Sequence, residues 1–434
     1  MVLIYSHIGS SRLQYICSFI FKELLGIDYE LTIDSDAFKN FTGVKINYSD
    51  TKITAAEFYI KNHTLLFEYG IQNQTIDCFT FDKSKAFFKT EHSDFPFDIF
   101  AASFYLLSRY EEYLPHNKDM YGRYAHENAL AYREGFLNLP LINIWVKVFA
   151  EKLKENFSPG ALPSAFNFQF STFNFLPTYD IDIAYSYKYK GLLRNAGGFF
   201  KWPGMERLKV LAGITKDPFD CYAWLHALHQ QYNLQPVYFF LAAQKNGMYD
   251  KNILPQTDAM WRLVKLHAKE YKVGLHPSWQ SGDNGDLLKT EMELLEAMSG
   301  NNITRSRQHY IRFNLPEGYQ RLIAAGVTDD YSMGYGSING FRASVASSFF
   351  WYNLEKETPT ALRIHPFCFM DANAYYEQRQ DAAKSLHELQ HFLAICKSIN
   401  GTLITVWHNN FLGTAKEFEG WKTMYEQFIA QAQQ

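Results

Sequence analysis

Cysteine is scarce in this 434-residue chain: five residues, Cys17, Cys78, Cys221, Cys368 and Cys396, none in CxxC spacing. A scattered, odd set of this kind excludes a disulfide framework and a cysteine metal site. Surplus charge is also scarce, since 42 basic residues face 45 acidic ones and leave a formal net charge of −3. No basic field is available, so neither nucleic acid nor a membrane surface is expected as a partner. Long apolar runs are missing too: none reaches the roughly 18 residues that a membrane span requires. The stretch from Leu13 to Leu25 is interrupted by Gln14, Lys22 and Glu23, and the opening Met1-Val2-Leu3-Ile4-Tyr5-Ser6-His7 has no basic n-region. It reads as neither a signal peptide nor a span, and a cytoplasmic location is the expectation. Phosphate loops of the GxGxxG and GxxxxGK(S/T) types do not occur, nor does the GxSxG elbow of serine hydrolases.

What is abundant is apolar and aromatic. Hydrophobic residues make up 47% and charged residues 20%, which supplies a large core, and the length suggests more than one domain. The 29 Tyr, 37 Phe and 8 Trp offer flat faces that suit sugar rings, although most must fill the interior.

The first part of the chain reads as α/β. Val2 to Tyr5 is a short apolar strand, and Ser10 or Ser11 can cap a helix with Leu13, Ile16, Ile20 and Leu24 on one face. Alternation predicts strands at Tyr29–Ile33, Lys45–Tyr48, Ala56–Ile60 and Thr64–Tyr69, followed by helices after Pro96 and Pro140. The cluster Arg109-Tyr110-Glu111-Glu112-Tyr113, with Arg123, suggests a structural ion cluster or an interdomain contact. Turn formers from Ser158 to Ser164 suggest a boundary between a domain over 1–160 and a second over 165–434. In the second, strands at Leu176–Asp182, Pro236–Leu241, Val273–His276 and Thr402–Trp407 alternate with helices at 220–232, 258–271, 291–298, 319–325 and 383–397. That alternation predicts a parallel sheet or a β/α barrel.

Polar residues at the strand ends are the candidates for chemistry. Asp180 and Asp182 in Pro177-Thr178-Tyr179-Asp180-Ile181-Asp182 are two apart, so at strand spacing they point the same way. Two such carboxylates repel unless a cation or an arginine lies between them, which suits a metal site or an acid–base pair; two solvated turn acids are the blander alternative. His276 ends a short strand before Pro277, Arg342 follows Gly340-Phe341, and His408 ends the strand Leu403-Ile404-Thr405-Val406-Trp407.

Taken in order, an Asp pair, a His, an Arg and a His at successive strand ends resemble the polysaccharide deacetylases, the NodB-homology or family 4 carbohydrate esterases. The resemblance covers roughly residues 165–434 and is strongest to a divergent bacterial group with an extra N-terminal α/β domain. Ser306-Arg307-Gln308-His309-Tyr310, Asp330-Tyr331-Ser332-Met333-Gly334-Tyr335 and Trp407-His408-Asn409 share that character. It implies a distorted β/α barrel and a metal-dependent hydrolase that removes acetyl groups from a carbohydrate. It further implies Asp180 as base, His408 as acid and Arg342 as the group that orients Asp180. Asp182 and His276 would hold a divalent ion, zinc being the usual one. The family's second histidine, four residues after the first, is Gln280 here, and His309 is the candidate third ligand. Trp279, Tyr335 and Trp407 are candidate sugar-stacking faces.

Two rival readings stand beside it. His387-Glu388-Leu389-Gln390-His391 matches HExxH and would serve a zinc peptidase if a third ligand lay near. A barrel lacking one ligand could bind a glycan or a protein partner without turnover. His226, His229 and His365 read as packing residues, with His365 a remote candidate for the barrel mouth.

Overall fold

The computed structural model describes residues 1–157, 172–201 and 204–434. The boundary expected at 158–164 therefore lies outside the described residues. Two parallel sheets organise the rest. The first comprises β1 (Val2–Tyr5), β2 (Tyr29–Thr32), β3 (Val44–Ser49) and β4 (Phe58–Lys61) in the order β2-β1-β3-β4. A helix over Ser11–Cys17 follows β1, its first turn capped by Ser10 Oγ, which accepts from the Leu13 amide. It runs on as a π-helix over Ser18–Leu24, so the expected apolar face is buried as one stripe. A small hairpin, β5 (Phe79–Phe81) with β6 (Ser84–Ala86), lies outside this sheet.

One expected strand is not a strand. Thr64–Phe67 forms a turn of 3₁₀-helix, because Leu65 and Leu66 are both buried and a strand would send successive side chains to opposite faces. The His63 ring accepts from the Leu65 amide and holds the turn.

The second sheet has nine strands: β7 (Asn174–Ile181), β8 (Val237–Leu241), β9 (Lys272–His276), β10 (Arg305–Ser306), β11 (Asp329–Asp330), β12 (Phe349–Asn353), β13 (Thr358–Ile364), β14 (Phe369–Met370) and β15 (Thr402–His408). Their order is β12-β13-β11-β10-β9-β8-β7-β15-β14, all parallel except β12, which pairs antiparallel with β13. The expected alternation of strands and helices and a largely parallel sheet are present, but the sheet does not close into a barrel: among the described residues edge strands β12 and β14 do not pair. The physical reason lies in the edges. β12 folds back on β13 as a hairpin, and β14 is two residues long, so neither offers a run of matched groups for closure. Hydrophobic alternation could not reveal β10 and β11, which are two residues each.

This topology gathers the ends of the parallel strands on one rim. Register sets Asp180 of β7 opposite His408 of β15, and Leu241 of β8 opposite His276 of β9. Gly274 in β9 is required there, since a Cβ would stand 2.6 Å from the Phe239 ring and 2.9 Å from the Arg305 Cβ. One apolar core runs through both sheets, with Phe104 and Trp145 on one side and Tyr352 and Phe392 on the other. The N-terminal part also grips the larger sheet through polar contacts, among them Ile142 N to Ser344 O (3.0 Å) and the Arg12 guanidinium on Glu357. No helix among the described residues is long and apolar enough to cross a membrane.

Candidate metal and acid–base site

Three of the rim residues present one ligand atom each to a common point: Asp182, His276 and His309 lie with these atoms within 4.8 Å of one another. The His276 Nε2 is 3.1 Å from Asp182 Oδ1, and the His309 Nε2 is 3.4 Å from Asp182 Oδ2. Both rings are fixed from behind. His276 Nδ1 donates to the Arg307 carbonyl at 2.6 Å, and His309 Nδ1 donates to Asp250 Oδ1 at 2.9 Å. Such backing sets the tautomer and points Nε2 at the common point. Asp250 is itself held by the Trp279 amide.

The set fits a divalent ion on its own chemistry. Two imidazole nitrogens and a carboxylate oxygen suit zinc-like ions, and Asp182 Oδ1 is buried without a hydrogen-bond partner. The electrostatics agree. Burial raises the Asp182 carboxyl, but the facing His309 and His276 outweigh it and hold its pKa well below the usual range. Burial likewise opposes charge on His309, yet Asp182 and Asp250 raise its pKa to about 9.

Asp180 flanks this group. It is buried, its Oδ2 lies 3.9 Å from His276 Nε2, and its Oδ1 accepts from Arg307 Nη1 at 2.9 Å. Arg307 is buried and multiply held: Nη1 also donates to Thr178 Oγ1, Nε donates to the Tyr331 carbonyl, and the guanidinium lies 4.6 Å from the Phe239 ring centre. On the other side, His408 Nε2 is 3.5 Å from Asp182 Oδ2, while Nδ1 donates to Asp371 Oδ1 at 2.6 Å. Burial disfavours the imidazolium, but Asp371 and Asp182 prevail and raise the His408 pKa well above the ordinary value.

The group opens into a cleft of about 450 Å³. Tyr121 and Arg123 from the N-terminal part line it together with Tyr310, Tyr376 and Phe411. Tyr310 and Ile311 have φ of 58° and 54°, in the left-handed region that side chains rarely adopt. This turn carries His309 back toward the rim immediately after Arg307, and strained backbone of this kind is often found where side chains must be aimed.

Several expected residues are elsewhere. Arg342 does not touch Asp180: its Nε and Nη2 donate to Glu112 at 2.8 and 2.6 Å, and Nη1 donates to the Gly334 carbonyl. The arginine on Asp180 is Arg307. Tyr335 is buried beside Arg109, and Trp407 is 0% exposed and packed on Phe369 and Tyr425, so neither offers a face to a sugar. Trp279 stacks on Tyr249 at 3.8 Å and lies under the Arg312 guanidinium, next to the cleft but outside its lining. Gln280 is exposed, and His309 lies with Asp182 and His276. Asp250, Arg307 and Asp371 were not singled out by sequence reasoning. Asp371 carries a faint signal, an acid just after the apolar pair Phe369-Met370, and Arg307 lies in a stretch of family character; Asp250 has none.

The HExxH residues make no second centre. Glu388 accepts from Asn339 and Gln378, and His391 meets Asn138; among the described residues only Asp182, His276 and His309 form a group able to hold a metal. His365 bridges Ser348 and Asp329 and stacks on Tyr331, while His229 bonds the Tyr179 hydroxyl, both as packing residues.

Residues 2–158 match a family of unknown function, DUF7033. No curated protein matches the chain. Among solved structures, a protein assigned to the polysaccharide deacetylases of Mycobacterium smegmatis is 14% identical, with 61% of this chain and 84% of that one covered and a TM-score of 0.40. A polysaccharide deacetylase from Bacillus cereus is 10% identical, with 60% and 88% covered and a TM-score of 0.30. A family 4 carbohydrate esterase pseudoenzyme from Bacillus anthracis is 10% identical, with 60% and 61% covered and a TM-score of 0.29. These scores are low, and the functional reading rests on the residues of this chain.

Proposed function

We propose that the chain is a metal-dependent hydrolase that removes acetyl groups from a carbohydrate, built as an open, distorted version of the deacetylase β/α barrel with an N-terminal α/β domain. The observation that carries this reading is the placement of two different proton-handling groups on either side of one metal-capable triad, at the floor of a cleft. Asp182, His276 and His309 would hold the divalent ion, zinc being the expected one, and when bound it would polarise the acetyl carbonyl and acidify a water molecule.

The chain's own groups supply the remaining chemistry. Asp180 has one oxygen occupied by Arg307 and the other turned toward the triad, which suits a general base that takes a proton from attacking water. Arg307 fixes that carboxylate in rotation through the bond to Oδ1. Against the opposing effect of burial, Asp371 at its far nitrogen raises the His408 pKa and favours the protonated ring, which suits donation to the leaving amine or alcohol. Tyr121, Tyr310 and Tyr376 offer the aromatic faces for the sugar that Tyr335 and Trp407 cannot. Arg123 ties the N-terminal part to this wall by donating to the Tyr310 and Gly336 carbonyls.

The test combines metal analysis of the purified chain with acetate release from N-acetylated glycans. Bound metal and acetate release that Asp180→Asn abolishes are expected. A chain that binds glycan but releases no acetate with metal supplied would instead identify a binding protein without turnover.

A further inference from the structure

His309 reaches the triad from a backbone that its own sequence does not favour. Tyr310 and Ile311 follow it with φ of 58° and 54°. Two successive side chains in the left-handed region are uncommon, and for β-branched Ile311 the conformation is a genuine outlier. A backbone of this kind persists only where its surroundings over-determine it. Inside the turn, the Ile311 amide donates to the Gln308 carbonyl at 2.8 Å and the Arg312 amide to the His309 carbonyl at 3.1 Å. The Tyr310 carbonyl instead accepts from Arg123 Nη1 at 2.8 Å, across 187 residues of chain. The group that holds the turn from outside therefore comes from the N-terminal part.

Arg123 is built in as a rigid latch. Asp119 closes a tight loop by accepting from the Tyr121 and Arg123 amides through Oδ1, at 2.9 and 3.0 Å, and from Arg123 Nε through Oδ2 at 2.6 Å. Gly122 turns that loop with φ of 75°. The guanidinium lies 4.7 Å from the Tyr121 ring centre, and Tyr121 packs on Tyr310 with ring centres 5.4 Å apart. Nη1 also donates to the Gly336 carbonyl at 3.0 Å. A Cβ on Gly336 would stand 2.0 Å from Nη1 and 2.8 Å from the Tyr310 oxygen, so a glycine is required where the arginine enters the wall. The Arg123 side chain is 6% exposed. A charged donor is stronger than a neutral one, and more so away from water.

We propose that Arg123 is a positioning residue for the metal site: it fixes the left-handed Tyr310 turn and so aims His309 at the point it shares with Asp182 and His276. Asp250 holds the His309 ring from behind, whereas Arg123 holds the backbone that carries the ring. The three ligands all belong to the larger sheet's part of the chain, yet the N-terminal part completes their geometry. This role presupposes that the triad holds a divalent ion, and it assigns to the N-terminal part the setting of the third ligand.

The experiment is zinc affinity of the full chain by competition with a chromophoric chelator, for the parent, Arg123→Ala, Arg123→Lys, Gly336→Ala and Glu357→Gln, with circular dichroism and thermal unfolding of each. Glu357 joins the same two parts of the chain through Arg12 and the Gly70 amide and has no bond to the turn, so it separates docking from aiming. Arg123→Ala is expected to weaken zinc binding by about tenfold or more, the range for a lost outer partner of a ligand. Arg123→Lys should recover part of it, since an ammonium still reaches a carbonyl but lacks the fork. Glu357→Gln should lower the unfolding temperature and leave zinc affinity unchanged. With cobalt in place of zinc, the visible spectrum of Arg123→Ala should move toward that of His309→Ala. Should Arg123→Ala not fold, Gly336→Ala, which keeps the arginine but crowds it off the Tyr310 carbonyl, is judged by the same criterion. Equal affinity in the parent and the folded latch variant, or an equal loss in Glu357→Gln, would overturn the role of Arg123 and leave the triad standing. A parent that binds no zinc would remove the triad and this role with it.

Discussion

Two groups of buried charge differ in how completely they are closed. Around Arg109, Glu111, Glu112 and Arg342, the carboxylates and guanidinium nitrogens meet partners: Glu112 takes both arginines, Glu111 takes Arg109 and the Leu130 amide, and Arg109 also donates to the Arg342 carbonyl. Around Asp180 and Asp182, Asp182 Oδ1 and Arg307 Nη2 are buried without partners, and the group opens to a cleft. A closed network has spent its hydrogen-bonding capacity on itself and joins two parts of the chain. An open one keeps capacity for something that arrives. Arg342 and Arg307 cannot be told apart by residue type, only by which network holds them.

The comparison can be broken at several points. Asp180→Asn should lower acetate release by about 10²–10⁴-fold, the range for a lost general base, with metal content unchanged on elemental analysis; retained activity would remove Asp180 from the chemistry. Glu112→Ala should act on stability instead. It leaves two guanidinium groups facing each other in the interior, at a cost of about 3–5 kcal/mol readable by urea unfolding, while the folded fraction keeps its metal.

The same carboxylate gives a pH signature. Burial raises the Glu112 pKa, but Arg342 and Arg109 prevail and lower it from 4.5 to about 2. A depressed carboxyl contributes stability that is present above about pH 4.5 and lost as pH falls toward 2. The amount is on the order of 3 kcal/mol, and unfolding midpoints between pH 5 and 2 should reveal it, with Glu112→Gln flattening the profile.

At the open site, His309 has the opposite sign. Its pKa is raised to about 9, so in the metal-free protein its stabilising contribution is full below about 6.5 and disappears as pH passes 9. A metal must displace that proton, so zinc affinity measured by competition with a chelator should rise from pH 7 toward 9 and then level. The smallest effect is expected at Trp407, whose ring is buried. Trp407→Phe should cost stability by about 1–3 kcal/mol through repacking and leave the KM for glycan unaltered.

Much of the fold was legible because periodicity is local. The strands at Val2–Tyr5, Val237–Leu241, Lys272–His276 and Thr402–His408, and the helix over Leu141–Asn156, carry apolar patterns that the interior then buries. The helix after Asn284 starts earlier than the apolar stripe suggested because the Asn284 side chain caps it through Asp286 and Leu287. Strands β10 and β11 were illegible because two residues form no pattern. In the candidate site, Asp180, Asp182, His276 and His408 were visible as polar residues closing apolar strands. Arg307 and Asp250 were not, since one follows a two-residue strand and the other sits in a loop.

The sequence alone determined which polar residues end the long parallel strands, because burial of a strand and exposure of its end are written in consecutive residues. The tertiary structure decided that His309 joins Asp182 and His276, that Arg307 and not Arg342 meets Asp180, and that the sheet stays open. Those outcomes depend on how segments more than a hundred residues apart come to lie side by side, and strand order and register fix that where local pattern cannot.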